Sequence, residues 1–242
     1  MFISVLNNFI SEYIVNSKYT LTESDVLYED NHLIVINKQA GLLSQGDKTN
    51  DKNILDYVKA YIKNKYDKPG LVFLGLPHRL DRPVSGAIVL CKTSKSLTRM
   101  NKMISERKID KIYHAIVLNK PKDNKGTITS FLRKNTHKNK VDCFDQEVNN
   151  SKKAILNFQY HKRIGNFHLL EVKLLTGRPH QIRVQLNSIN CPILGDMKYH
   201  NQKPLSDKSI ALHSRFVEFI HPVSKVKISI AAPYPDKPWW SN

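Results

Sequence analysis

The densest chemistry in the sequence lies between residues 77 and 86, Pro-His-Arg-Leu-Asp-Arg-Pro-Val-Ser-Gly. One carboxylate, Asp81, stands between Arg79 and Arg82 just before an apolar run. Neighbouring arginines favour the ionised carboxylate. A carboxylate at the mouth of a strand can serve as a nucleophile or a base. The same pattern also fits an Asp that caps a turn and is tied by a surface ion pair. A second segment, Lys111-Ile112-Tyr113-His114-Ala115, puts a tyrosine in a strand, where core packing is the commoner role. A third, Thr176 to Val184, places Arg178, His180, Gln181 and Arg183 at a helix start after Gly177. Helix starts favour anions, and arginine grips carboxylate or phosphate with two parallel donors. A fourth, Pro192 to Tyr199, reads alone as a loop with a helix cap.

These segments need a scaffold, and the pattern of apolar residues supplies one. Strands are expected over Val26–Tyr28, Leu33–Asn37, Ala87–Cys91, Lys111–Leu118, Ala154–Tyr160 and His168–Leu174, and weakly over Thr127–Leu132. Ile210–Ile220 and Val226–Ala231 read as a closing hairpin. Helices are expected over residues 51–64, 94–105 and 179–189, the last with Pro179 in its first turn. Residues 119–153 are rich in Asn, Lys, Asp and Gly and otherwise read as polar connection. Strands in hairpin-like pairs with fewer helices predict an α+β fold on a mixed, largely antiparallel sheet flanked by helices. Phe2, Ile3, Val5, Leu6, Phe9, Ile10, Tyr13 and Ile14 recur near helical spacing, so residues 1–24 read as a short helical extension and 25–242 as one domain. The extension lacks the basic start and small-residue cleavage site of a secretory signal.

Composition excludes several classes. The 242 residues are 40% hydrophobic, enough for a core and against general disorder. No apolar run approaches the ~18–20 residues that span a bilayer. Three cysteines, far apart and odd in number, form no disulfide framework and imply a reducing, cytoplasmic setting. GxGxxG, Walker A, HExxH and GxSxG are all missing. The 10 histidines show no HxH or HxxxH pair backed by carboxylates, so no metal site is expected. The net charge of +17 points to a polyanionic partner. It is unevenly placed: residues 1–91 hold 10 Lys+Arg and 10 Asp+Glu, whereas residues 92–163 hold 18 against 6. The alternative is a lysine-rich solvated surface.

Together the four segments resemble the RluA-type family of RNA pseudouridine synthases. The family's HRLDxxTSG-like segment stands here as His78 to Gly86. Its K-x-Y is Lys111-Ile112-Tyr113, its TGRxHQIRxH is Thr176 to Gln185, and its PILGDxxY is Pro192 to Tyr199. Val26 to Asp30, Ile36 to Gly41, Ala211 to Ser214 and His221-Pro222 also match in order, so the resemblance runs from about residue 25 to 235. Val84 departs from a threonine and Gln185 from a histidine, both bearing on substrate positioning.

The resemblance implies the pseudouridine synthase fold without an added S4-like domain. It implies isomerisation of uridine in ribosomal or transfer RNA by a monomer that needs no cofactor and no membrane. Asp81 is then the catalytic carboxylate, Arg183 its partner, and Tyr113 the residue against the uracil. Leu212 forms part of the apolar wall around the base, and Arg79 braces the space left by a flipped base. His78, Arg82, Arg178, His180 and Gln181 are further candidates for substrate binding. Lys92, Lys95, Arg99, Lys102, Lys108, Lys111, Arg133, Lys134, Lys138 and Lys140 could carry phosphates. Two other readings remain: an inactive RNA-binding or chaperone module, and a metal-dependent nuclease built on Asp81.

Overall fold

The computed structural model describes residues 19–136 and 138–240. Ten strands form one sheet: β1 (Val26–Glu29), β2 (Leu33–Lys38), β3 (Ser85–Cys91), β4 (Ile109–Val117), β5 (Lys125–Asn135), β6 (Lys140–Phe144), β7 (Lys152–Ile164), β8 (Phe167–Leu174), β9 (Leu212–Ile220) and β10 (Lys227–Ala231). Their order is β1-β2-β3-β9-β4-β8-β7-β5-β6, with β10 paired to β9. The described helices are α1 (Ile54–Lys65), α2 (Ser94–Ser105) and α3 (Gln181–Ser188). Every pairing is antiparallel except the short β3–β9 contact. The expected α+β class with a mixed, largely antiparallel sheet therefore holds.

Both faces of the sheet are covered, and the sequence shows why. Ile34, Ile36, Ile88 and Leu90 pack on one face with Ile54, Val58 and Ile62 of α1 and Ile182 and Leu186 of α3. Leu33, Val35, Ala87, Val89 and Cys91 pack on the other with Leu97 and Met100 of α2. Alternate residues of one strand feed opposite cores. A strand buried on both sides reads as a continuous apolar run, as 87–91 does. Asn53 caps α1 by accepting from the Leu55 N–H, and Asp56 accepts in turn from the Asn53 N–H at 3.0 Å.

Two expectations are corrected, and one lies mostly outside the described residues. Residues 119–153 are not mainly connection: β5 and β6 pair there, with Leu132 and Val141 in a small core beneath Val184 and Tyr199. In β5 the buried positions alternate, Ile128, Ser130 and Leu132, and one of them is polar, which hides the strand in a polar composition. α3 begins at Gln181 and not in the turn containing Pro179, because His180 is left-handed with φ 52° and ends the preceding turn. The helix expected over residues 1–24 lies, for residues 1–18, outside the described residues; from residue 19 to 25 the chain makes one 3₁₀ turn, Glu23–Asp25.

The β3–β9 joint links the N-terminal strands to the central sheet. Gly86 has φ +108°, and a Cβ there would lie 2.3 Å from the Ser214 carbonyl oxygen and 2.6 Å from its nitrogen. Ser85 Oγ and His213 Nδ1 hydrogen-bond at 2.8 Å across the same joint. Gly86→Ala is therefore expected to destabilise the protein by roughly 1–3 kcal/mol or more, from overpacking against backbone that cannot swing away. A denaturant midpoint equal to that of the parent protein would show that the joint yields.

Candidate active site

Asp81 sits on a segment without regular structure that leads into β3, and a neighbouring loop clamps it from both sides. Ser44 Oγ donates to the Leu80 carbonyl at 2.6 Å and accepts from the Leu80 N–H at 3.1 Å. The Gly41 N–H donates to the Arg82 carbonyl at 2.7 Å, and Arg82 Nε donates back to the Gly41 carbonyl at 3.0 Å. Beneath the loop the Lys38 ammonium is completely buried. It donates to the carbonyls of Leu42 at 2.8 Å and Gln39 at 3.0 Å. Burial pushes Lys38 down to about 7; the Asp81 charge opposes this and Arg82 adds to it. Residues 41–44 and 80–82 are thus one rigid cradle, with the Asp81 carboxylate 30% exposed at its lip.

The partner of Asp81 is the arginine more than a hundred residues away. Arg183 Nη1 donates to Asp81 Oδ2 at 3.0 Å. The other two nitrogens grip Asp196, with Nε to Oδ2 at 2.7 Å and Nη2 to Oδ1 at 2.8 Å. Arg183 and Asp196 side chains are only 5% and 2% exposed. Burial works against the Arg183 charge, but the Asp196 hydrogen bonds and the two carboxylate charges outweigh it and hold the guanidinium above its ordinary range. The arginine is therefore a permanent cation with a single arm left for Asp81.

Asp81 opens into a cleft of about 650 Å³. Tyr113, Leu212, Val84 and Ile182 line it from the apolar side. Tyr113 is buried, and burial raises its phenol, with the Asp81 charge adding and a Ser214 hydrogen bond opposing. It rests as a neutral phenol. His180 Nε2 lies 3.9 Å from Asp81 Oδ2, and its Nδ1 meets the Tyr199 hydroxyl at 2.6 Å. That hydroxyl also accepts from the Val141 N–H at 2.9 Å, so the β5–β6 hairpin is tied to the site. Burial lowers the His180 imidazole and the Asp81 charge opposes it. Arg79, Lys111, Lys134, Lys140 and Arg178 bring positive charge to the walls.

A charge-balanced carboxylate thus stands at the lip of an apolar, cation-rimmed cleft. The model of the RNA pseudouridylate synthase family matches residues 32–188. The chain belongs to this family. It is 33% identical over 214 residues to an uncharacterized RNA pseudouridine synthase of Synechocystis sp., covering 87% of this chain and 65% of that one. It is 31% identical over 226 residues to the ribosomal large subunit pseudouridine synthase D of Xylella fastidiosa, covering 88% and 66%. The chain thus spans just under two thirds of the length of these relatives. The solved structure of human RNA pseudouridylate synthase domain containing 4 shares the fold, with a TM-score of 0.73, 22% identity and coverage of 96% and 94%. The RluA-type resemblance stands.

Several residues sit differently from the sequence expectation. Among the described ion pairs, Asp81 meets neither of the arginines that flank it. Arg82 Nη2 binds Asp51 at 2.8 Å, and Arg79 is exposed at the rim. His78 Nε2 accepts from the Val89 N–H at 3.0 Å, so its ring braces β3; burial pushes it down to about 3, which keeps it neutral. The Gln181 amide is fully engaged: Oε1 accepts from Thr176 Oγ1 at 2.8 Å and the Arg178 N–H at 2.9 Å, and Nε2 donates to the Ile155 carbonyl at 3.0 Å. It shapes the turn before α3. Gln185 has no exposed surface and donates to Ser130 Oγ at 2.9 Å, between β5 and β7. Two residues past Arg183 on a helix is about 200° around the axis, so this departure from the family pattern faces away from the cleft.

Neither Lys38 nor Asp196 stands out in the sequence as a site residue. Asp196 lies within the Pro192 to Tyr199 segment, but nothing local marks the buried arginine that it holds. Some cations expected to carry phosphate are already used. Lys92 binds Glu29 at 2.7 Å, Arg99 donates to the Pro222 carbonyl at 3.2 Å, and Lys108 binds Glu106 at 2.7 Å.

The Arg183 clamp predicts an asymmetry. Asp196→Ala strands a buried guanidinium and should cost about 3–5 kcal/mol in urea unfolding. Asp81→Ala removes only the part-exposed partner and should cost about 1 kcal/mol or less. Equal losses would mean that the two carboxylates support the arginine alike.

Proposed function

We propose that this chain is an RNA pseudouridine synthase that isomerises uridine in structured RNA, with Asp81 as its catalytic carboxylate. The observation that carries the reading is the Arg183 hydrogen bond that presents Asp81 at the lip of the cleft. Ribosomal RNA is the favoured substrate, in keeping with the relative from Xylella fastidiosa, and transfer RNA is the second choice.

The reaction breaks the C1′–N1 bond, turns the uracil and joins C5 to C1′. It involves no net redox change, so it demands no cofactor. Asp81 acts at the ribose, as a nucleophile at C1′ or as a base on the sugar. Arg183 keeps that carboxylate oriented, and Asp196 keeps Arg183 oriented. Tyr113 and Leu212 pack the base. A phenol held neutral by burial suits that packing better than it suits resting-state proton abstraction. A stacked uridine cannot reach this cleft and must be flipped out, at a cost of about a few kcal/mol. Arg79, exposed at the rim, fills the vacated stack in this reading. Arg178 and His180 face the substrate, whereas His78, Arg82 and Gln181 hold the walls.

RNA phosphates are then met by the cleft-side cations. Lys134 and Lys140 lie on the hairpin that borders the site, and Lys198 Nζ steadies its turn by donating to the Asn139 carbonyl at 2.9 Å. Such contacts set affinity and salt dependence without reading sequence.

With uridine-C5-tritiated ribosomal and transfer RNA, the full chain should release tritium. Asp81→Asn should lose about 10²–10⁴-fold in turnover while still binding RNA. Full turnover by that variant removes Asp81 from its role, and binding without release by the parent protein selects an RNA-binding module instead. Replacing Lys134 and Lys140 by Gln should weaken RNA binding and lower the log–log salt slope by about 0.7–0.9 for each phosphate that is no longer neutralised. Turnover at saturating RNA should change little. An unaltered slope would place the phosphates elsewhere.

A further inference from the structure

Three metal-type donors from adjacent strands converge away from the Asp81 cleft. His114 of β4 stands directly across from Glu171 of β8. Its neighbour Tyr113 faces the cleft, so His114 projects from the opposite side of the strand. His161 of β7 falls where the β7–β8 register shifts between Tyr160 and Lys162. A bulge of this kind adds a residue and re-aims its side chain. His114 Nε2 lies 3.7 Å and His161 Nε2 lies 3.5 Å from Glu171 Oε2. The three donor atoms all lie within 4.8 Å of one another. Ligands on a tetrahedral zinc at about 2.0–2.2 Å are about 3.4 Å apart. Two of the three separations are near that value, and His161, 39% exposed, has room to close the third.

An ordinary ion pair accounts for only part of this group. His161 and Glu171 make a reasonable part-exposed pair. His114 is buried, and its Nε2 has no hydrogen-bond partner although it is aimed at the carboxylate. An unsatisfied buried polar atom is costly. Burial also keeps this imidazole neutral, with a lone pair available; Glu171 opposes that effect, and His161, Arg215 and His213 add to it. The other ring nitrogen, Nδ1, is bonded to the Tyr234 hydroxyl. A histidine that binds metal through Nε2 donates its Nδ1–H to an acceptor, and the Tyr234 hydroxyl stands where it can accept that hydrogen. Tyr234 is itself fixed, stacked on Trp240 at 5.0 Å and covered by the Arg215 guanidinium at 4.8 Å.

The other charged and titratable neighbours leave the position open. His213 is engaged through Nδ1 with Ser85 and through Nε2 with the Ala232 carbonyl. Arg215 donates to the Ala232 carbonyl and lies over Phe216 and Tyr234. Its charge offsets that of Glu171, which limits affinity but not geometry.

We propose that His114, His161 and Glu171 form a binding site for a divalent transition-metal ion, zinc by the chemistry of two imidazoles and one carboxylate, with a fourth position open to water. Magnesium and calcium prefer oxygen donors and are disfavoured. An ion here ties β4, β8 and β7 together one residue from Tyr113. The sequence hides the site because its ligands lie on three strands, and one of them depends on a bulge.

The test is a titration of the metal-stripped full chain with zinc and with cobalt(II). The expected result is one ion per chain, visible absorption bands of tetrahedral cobalt, and a melting temperature raised by zinc but not by magnesium. His161→Ala and Glu171→Gln lie at part-exposed positions and should keep the metal-free melting temperature. Each should weaken binding by more than the about 10–100-fold that a supporting residue carries. The part-exposed Cys143 is a competing zinc ligand. Zinc binding unchanged in both variants, or no zinc binding by the parent protein at about micromolar metal, overturns the proposal.

Discussion

Arg183 has three donor nitrogens, and each is committed. Two close on Asp196 inside the protein and the third reaches Asp81 at the edge of solvent. Taking a guanidinium and a carboxylate out of water costs several kcal/mol per ion, and only near-ideal paired geometry repays it. The fold supplies that geometry by anchoring α3 in the core through Ile182 and Leu186 while the 192–199 loop brings Asp196 beneath it. Because the inner pair is rigid, the outer arm points one way. The Asp81 carboxylate can then remain part exposed and still be oriented.

The loop that carries Asp81 is constrained by different means. Reciprocal hydrogen bonds from Ser44 and between Gly41 and Arg82 hold its backbone. A fully buried Lys38 satisfies the carbonyls that the turn leaves unpaired. A lysine is an expensive way to satisfy carbonyls, since burial depresses its amine to about 7. It offers three donors at one point, which no apolar residue can do. The cradle and the arginine clamp both act on Asp81, which is positioned from two directions.

The basic excess divides along the same lines. Charges on and near α2 are partly neutralised or occupied, as with Lys92, Lys108 and Arg99, and that helix covers the sheet face opposite the cleft core. Charges on the β5–β6 hairpin stand beside the cleft. The segment with the largest net charge thus has one part that serves the fold and another that lines the cleft.

What the sequence determined by itself was local or repeated in type. Alternation and 3.6-residue spacing placed most strands and all three described helices, because backbone geometry imposes those periods on the apolar residues. Ordered motifs singled out Asp81, Tyr113, Arg183 and Leu212, which the fold gathers at one cleft. Tertiary structure decided which charges pair. Chain neighbours suggested Arg79 and Arg82 as partners for Asp81, yet Arg82 pairs with Asp51, Arg79 stays exposed, and the partner came from α3. It also decided that Gln181, Gln185 Nε2 and His78 Nε2 bond within the fold, that Lys38 is buried, and that His114, His161 and Glu171 meet. These outcomes depend on strand order and register. Residues far apart in the chain become neighbours only when the sheet is assembled, and no local spacing encodes that distance.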